Sequence, residues 1–395
     1  MQKKHKLEWT TKAKLLLILS LPGFIPLISL FSPIFLIISQ ILIRPLEYYQ
    51  KEKILKAAKE KLAKLSNLKI VAITGSFGKT STKDILYTLL WKKYYVVKTP
   101  RSFNTPLGIA QTILEDIKDN TQIFICEMGA YKKGEIAKIC KFIKPDIGMI
   151  TAIAPQHLER FGSIENIAKA KFELVENLHK DGVAILNGES NLLKDLASHS
   201  SSHGPEQNRT GGNVIFYGND KASEELAKIS IPLKGENHIK NFVAAATVAL
   251  QLGLTLNEIR KRAKLLLPTP HRLEIRKQNE LTIIDNTFNT NPQSSRASLK
   301  LLQELPGSQK ILITPGLVEL GKESAKQNQE FAKESAKVAD QIIIVGEYAK
   351  KDLLKGAGEK AMTVATTAEA MNLLGKIAKP DAVILLENDL PDQYS

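Results

Sequence analysis

Thr74-Gly75-Ser76-Phe77-Gly78-Lys79-Thr80-Ser81 is the stretch on which the reading of this chain turns. An apolar run from Leu68 to Ile73 leads into it, and a helix-like pattern from Thr82 to Trp91 leads out. Strand, glycine-bearing loop and helix, in that order, make a phosphate-binding loop. Small residues let backbone N–H groups approach phosphate oxygens, and the helix start adds unpaired donors and the positive end of a dipole. Gly75, Ser76, Gly78 and Ser81 shape the cradle; Lys79 offers a charge to the β- and γ-phosphates and Thr80 a hydroxyl to Mg²⁺. Only Ser76 and Phe77 separate the glycines, closer than in the common G-x-x-x-x-G-K-[ST] loop. A glycine turn in some other α/β protein is the competing reading, and G-K-T-S at a strand-to-helix junction weighs against it.

The periodicity around this loop repeats. Strand-like runs at 68–73, 94–98, 122–128, 147–153, 182–186 and 213–217 alternate with helix-like runs at 80–91, 106–116, 134–143, 163–179, 238–252 and 257–267. This alternation predicts an α/β fold, a parallel sheet covered by helices, with ligands beyond the carboxyl ends of the strands. Ser198 to Asn213 is polar and reads as an exposed loop. Pro268-Thr269-Pro270 reads as a linker. Beyond it, runs at 281–285, 310–314, 341–345 and 382–386 with helical patterns between them predict a second, smaller α/β domain. The expected division is 1–48, 49–67, 68–268 and 269–395. The ending Glu387-Asn388-Asp389-Leu390-Pro391-Asp392 is acidic, and either a solvated terminus or a face toward the active site accounts for it.

At 395 residues the chain is long enough for about two or three domains. The net charge of +14 admits nucleic acid on one side, an anionic membrane surface or phosphorylated substrates on the other. Aromatics are sparse and none interleave with a basic stretch, so membrane and phosphate are favoured and no nucleic-acid partner is expected. The two cysteines, Cys126 and Cys140, follow no disulfide or zinc pattern and suit a reducing compartment.

Leu15 to Ile43 carries no charge, with Lys3, Lys4, Lys6, Lys12 and Lys14 before it and Arg44, Lys51 and Lys53 after it. It is too long for a signal-peptide core and lacks polar positions at helical spacing, so a membrane-inserted helical segment is expected. A straight helix of that length, about 44 Å, would exceed the ~30 Å hydrocarbon core. Pro22, Pro26 and Pro33 argue against straightness. With both flanks basic, a hairpin-like insertion with both ends inside and a single tilted span both stand. Leu46 to Ser66 reads as a basic helix, either on the headgroups or solvated.

Further candidates fall at strand ends. Glu127 closes the run Ile123 to Cys126, where a carboxylate can complete the Mg²⁺ shell begun by Thr80. His157 and Glu159 follow the run Gly148 to Ile153 and precede Ser163, a candidate helix cap. Composition alone does not single out Lys171 from the lysines of the next helix.

Taken in order, Thr74 to Ser81, Glu127-Met128-Gly129-Ala130, His157 to Ser163, Ile167 to Glu173, Asn237 to Ala246, Pro270 to Glu274, Asp285 to Pro292 and Val318-Glu319-Leu320-Gly321 resemble the Mur ligases. These are the ATP-dependent enzymes that extend the peptidoglycan stem peptide. The resemblance runs from about residue 68 to 395 and implies a P-loop ATPase domain followed by a Rossmann-like domain. It implies that Lys79 and Thr80 hold phosphates and Mg²⁺, that Glu127 binds the first Mg²⁺, and that His157 sits near a second. It makes Lys171 the lysine that the family carbamylates with CO₂. It places Asn241 on the adenine side, Arg272 on the phosphates, Asp285 and Asn286 by the ribose, and Asn104 near the substrate. The implied reaction activates a muramyl-peptide carboxylate as an acyl phosphate, which an amine donor, D-alanyl-D-alanine or similar, then attacks.

Some residues depart from the family. The membrane segment and basic helix stand where the UDP-holding domain is expected, Asn237-His238 inverts the usual order at the adenine site, and Asn286 stands for an acid. An alternative acceptor is therefore a lipid-linked precursor at the cytoplasmic face of the bacterial inner membrane. A weakly catalytic ATP-binding scaffold is the reading from a different class.

Overall fold

The computed structural model describes residues 32–202, 213–288 and 290–388. It falls into two units, residues 1–64 and residues 65–395. In the first, α1 (Ser32–Ala63) is one helix with Pro45 inside it. It runs unbroken through the expected boundary at 48/49. Ile37, Ile38, Ile41, Leu42, Leu46, Tyr48 and Tyr49 are exposed along it. Among the described residues no helix is long and apolar enough to cross a membrane. Most of the expected membrane segment, 15–31, lies outside the described residues.

The second unit opens with β1 (Lys69–Thr74), α2 (Lys79–Leu90), β2 (Val96–Lys98), α3 (Pro106–Glu115), β3 (Ile123–Glu127), α4 (Glu135–Ile143) and β4 (Ile147–Ile150). It continues with α5 (Leu158–Phe161), α6 (Ile164–Glu176), β5 (Val183–Asn187), α7 (Asn191–Ser202), β6 (Val214–Tyr217), α8 (Lys221–Ala227), α9 (Glu236–Gln251) and α10 (Leu256–Ala263). The strands form a parallel sheet in the order β2-β3-β1-β4-β5-β6. β1 and β3 are buried almost end to end, the pattern of central parallel strands covered on both faces. The alanines of α9 let it pack closely on Ile85, Leu86, Leu89 and Leu90 of α2. That fixes the helix that carries the phosphate loop.

A second sheet follows, with β7 (Glu274–Gln278), β8 (Leu281–Asn286), α11 (Pro292–Glu304), β9 (Lys310–Thr314), α12 (Ser324–Val338), β10 (Gln341–Val345), α13 (Lys350–Ala357), β11 (Ala361–Val364), α14 (Thr367–Ile377) and β12 (Val383–Glu387). Its order is β11-β10-β9-β12-β8-β7, parallel except for the antiparallel β7–β8 pair.

The expected strands all appear, with ends shifted by a few residues. β7 was not expected because its charged residues show no apolar face. It is an edge strand that pairs only through a two-residue turn with Asn279 in left-handed backbone (φ 54°). The start of the supposed loop at Ser198 is the last part of α7, whose apolar residues Leu193 and Ala197 pack on the sheet. Residues 203–212 of that loop lie outside the described residues. The ending is not a solvated terminus at its start: Glu387 is fully buried as the last residue of β12.

Candidate functional site

The site begins where β1 ends. Gly75 (φ 150°) and Gly78 (φ 80°) are both in backbone that side chains rarely adopt. A Cβ on Gly75 would lie 2.0 Å from Thr151 Oγ1, and one on Gly78 would lie 2.5 Å from Asn241 Oδ1. Both positions therefore require glycine, for close approach as much as for conformation. The loop is tied to the segment just after β4 as the Ser76 N–H donates to the Ala152 carbonyl (2.7 Å) and the Ser76 hydroxyl to the Ala154 carbonyl (3.0 Å). Gly78 caps α2 without any side-chain hydrogen bond, so the first amides of that helix face the loop uncapped.

Lys79 curls back and donates to the carbonyls of Gly75 (2.8 Å) and Ser76 (3.3 Å). Burial lowers its pKa to about 8, with Arg272 adding to the fall and Glu127 opposing it. The Thr80 hydroxyl is buried and, among the described residues, has no hydrogen-bond partner. Such an atom costs stability unless something outside the chain satisfies it. A hard cation such as Mg²⁺ fits, since Thr80 offers oxygen and Glu127 a buried carboxylate.

Parallel pairing sets Glu127 beside Ile73, one residue before Thr74. Burial pushes its carboxyl up, but Lys83, Lys79 and Arg272 together hold it below the usual value. Lys83 Nζ sits 3.0 Å from one Glu127 oxygen, and Asn104 Nδ2 donates to the other at 3.3 Å. Sequence reasoning missed Lys83, whose signal was its place one helical turn after Lys79 on the same face.

His157 starts the short helix α5 in left-handed backbone (φ 54°), with its ring against Tyr131. Its Nδ1 faces the Glu319 carboxylate, and the Glu319 carbonyl accepts from Glu159 N–H at 3.4 Å. The second sheet thereby reaches the first. Glu319 belonged to a recognised motif, but no role attached to it from sequence. Ser163 caps α6 as expected from its spacing, accepting from Asn166 N–H. That helix buries Lys171, whose amine is pushed well below the ordinary lysine value by burial and then by Lys79. Lys171 makes no ion pair among the described residues.

Arg272 stacks over Phe288, its guanidinium carbon 4.4 Å from the ring centroid, and its charge acts on Glu127. With Asn241, Asn286, Phe77, Gly78 and Ser81 it lines a small cavity where the second sheet meets the phosphate loop. Asp285 and Asn286 are otherwise engaged. The Asp285 carboxylate receives His271, Arg276 and Thr287, and the Asn286 amide donates to both Glu387 oxygens at 3.1 Å. A ribose would find Asn286 only after that amide is shared. Burial raises Glu387 to about 7 against the opposing hydrogen bonds of Ser298, Asn286 and Thr290.

His238 is buried, its Nδ1 on the Lys234 carbonyl at 2.7 Å, so the inverted Asn237-His238 order leaves Asn237 beside Asn241 in the cavity wall. A pocket of about 230 Å³ adjoins, bounded by Asn187, Glu189, Tyr217 and Lys240. A larger one, about 810 Å³, opens at the carboxyl ends of β9 to β12, with Glu347, Tyr348, Thr366 and Glu387 in its wall.

The profile of the Mur ligase middle domain matches residues 73–249, and that of the Mur ligase, glutamate ligase domain matches residues 271–387. The UDP-N-acetylmuramoyl-tripeptide–D-alanyl-D-alanine ligase of Bacillus subtilis is 33% identical over 64% of this chain and 57% of its own length. The ligase of the same name from Rickettsia prowazekii is 30% identical over 72% of this chain and 67% of its own. Among solved structures, MurF from Acinetobacter baumannii superposes with a TM-score of 0.76 at 26% identity, covering 86% of this chain and 77% of that one. MurF ligase from Thermotoga maritima in complex with ADP gives 0.74 at 26% identity, covering 86% and 80%.

Proposed function

The chain belongs to the Mur ligase family, and from that premise we propose that it is an ATP-dependent ligase that forms an amide bond on a peptidoglycan precursor. The bond we propose joins D-alanyl-D-alanine to a muramyl tripeptide, the activity for which its relatives are named. One observation carries the reading: the orphaned Thr80 hydroxyl directly follows Lys79 at the start of α2, and the charges of Lys79 and Arg272 both act on the buried Glu127.

The acceptor carboxylate attacks the γ-phosphorus of ATP. The bond to the ADP oxygen breaks, leaving an acyl phosphate. The donor amine attacks the acyl carbon, the tetrahedral intermediate expels phosphate, and the amine loses its proton. Uncapped amides of α2 and the Lys79 ammonium receive the phosphates, and Arg272 adds charge from the second sheet. Bound Mg²⁺, held by Thr80 and Glu127 with His157 near a second ion, would neutralise phosphate charge. The base of ATP takes the pocket beside Asn241, and the donor takes the larger pocket of the second sheet. Asn104 presents the acceptor beside Glu127. Lys171 would carry the carbamate that the family resemblance implies; burial lowers its pKa and so favours the uncharged amine, the form that reacts with CO₂.

The test is phosphate release by the purified protein with ATP, Mg²⁺ and a UDP-muramyl tripeptide. Release that requires D-alanyl-D-alanine supports the ligase; release without donor, or none with any donor, refutes it and leaves the scaffold reading. The charge-free run Leu15 to Ile43 favours a second acceptor, a lipid-linked precursor met at the cytoplasmic face of the membrane. Sedimentation of the full chain with anionic vesicles, and a direct comparison of the two acceptors, decide that question.

A further inference from the structure

Lys83 has no part in the reaction just described, yet it is fully buried. A lysine in such a place is costly unless it is paired. Its Nζ donates to Glu127 Oε2 at 3.0 Å and to the backbone carbonyl of Arg101. Arg101 is in left-handed backbone (φ 46°), a conformation that a side-chain-bearing residue keeps only when its surroundings hold it. From the same loop, Asn104 Nδ2 donates to Glu127 Oε1 at 3.3 Å, and the Asn104 carbonyl accepts from Gly129 N–H at 2.9 Å. The Asn104 amide also packs where a Cβ on Gly129 would be, 2.7 Å from its Oδ1. One ammonium thus joins the helix behind the phosphate loop, the last residue of β3 and the loop between β2 and α3.

We propose that Lys83 is a positioning residue that couples divalent-cation binding at Thr80 and Glu127 to the order of the Arg101–Asn104 loop, where the acceptor is placed. The inference rests on the proposed function for the identity of the acceptor, but not for the coupling itself. Glu127 has two oxygens; Asn104 holds one and Lys83 the other. A cation drawn to Glu127 competes for the oxygen that Lys83 holds. The ammonium then binds the Arg101 carbonyl more strongly, which tightens the loop. By linkage, a loop held in place favours the cation in return.

Amide hydrogen exchange on the full-length protein tests this without any acceptor. Exchange across residues 99–105 is measured with ADP alone and with ADP plus Mg²⁺. In the parent protein Mg²⁺ slows exchange there several-fold. In Lys83→Met that difference disappears while exchange in the α2 amides still responds to ADP. A difference that survives in Lys83→Met, or none in the parent protein, overturns the proposal. Should Lys83→Met fail to fold, Lys83→Gln keeps a polar group for the buried partners but removes the charge: it loses the Mg²⁺ response if the coupling is real and keeps it if not. Phosphate release is scored separately, so a protein that shows the coupling but no ligation rejects the proposed function and leaves this inference standing.

Discussion

Gly78 and Asn241 approach so closely that a Cβ on the glycine would fall 2.5 Å from the asparagine Oδ1. The two come from the start of α2 and the first half of α9, and both line the small cavity beside the phosphate loop. Gly78→Ala meets both this clash and a left-handed backbone, which costs about 1–2 kcal/mol for a residue with a Cβ. ADP affinity, measured by calorimetry, should fall by roughly tenfold or more. Gly78→Ala combined with Asn241→Ser should recover part of that loss, because the steric share is relieved and the backbone share is not.

Thr80→Val separates folding from metal binding. The Thr80 hydroxyl is buried without a partner, so its removal should leave the melting temperature unchanged or raise it. The gain in ADP affinity on adding Mg²⁺ should shrink toward nothing. A lowered melting temperature with an intact Mg²⁺ effect would show that the hydroxyl serves the fold instead.

Lys171 is held well below its ordinary pKa by burial and by Lys79. The unfolded chain therefore binds a proton there that the folded chain does not, between the lowered value and the ordinary one. Stability from this group rises as pH rises through that window. Lys171→Met should abolish ligation, stabilise the protein at neutral pH, and flatten the rise in melting temperature between neutral and alkaline pH. If the amine carries a carbamate, bicarbonate should raise the melting temperature of the parent protein and not of Lys171→Met.

Glu387 has the opposite dependence. Burial raises its carboxyl to about 7 from the ordinary 4.5. The folded state holds the proton more tightly, so the contribution is complete below pH 4.5 and is lost as pH climbs through about 7. Glu387→Gln should remove that decline, seen as a flatter melting temperature between those two pH values. It should also change the donor KM more than the ATP KM, since Glu387 forms part of the wall of the large pocket.

The linear pattern alone determined the alternation of strand and helix, the position of the phosphate loop and the capping of α6 by Ser163, because these depend on neighbours in sequence. Short-range rules also placed Glu127 at a strand end. They did not indicate that Lys83 would neutralise it, that Glu319 would face His157, or that Glu387 would be enclosed beside Asn286. Each of those pairs brings together residues far apart in the chain. Their meeting depends on strand order, which crosses over in both sheets, and on how the second sheet packs against the first. Tertiary structure also settled which polar atoms were left over: among the described residues no donor or acceptor reaches Thr80 Oγ1, so the hydroxyl that the loop's sequence offers to Mg²⁺ stays available for it.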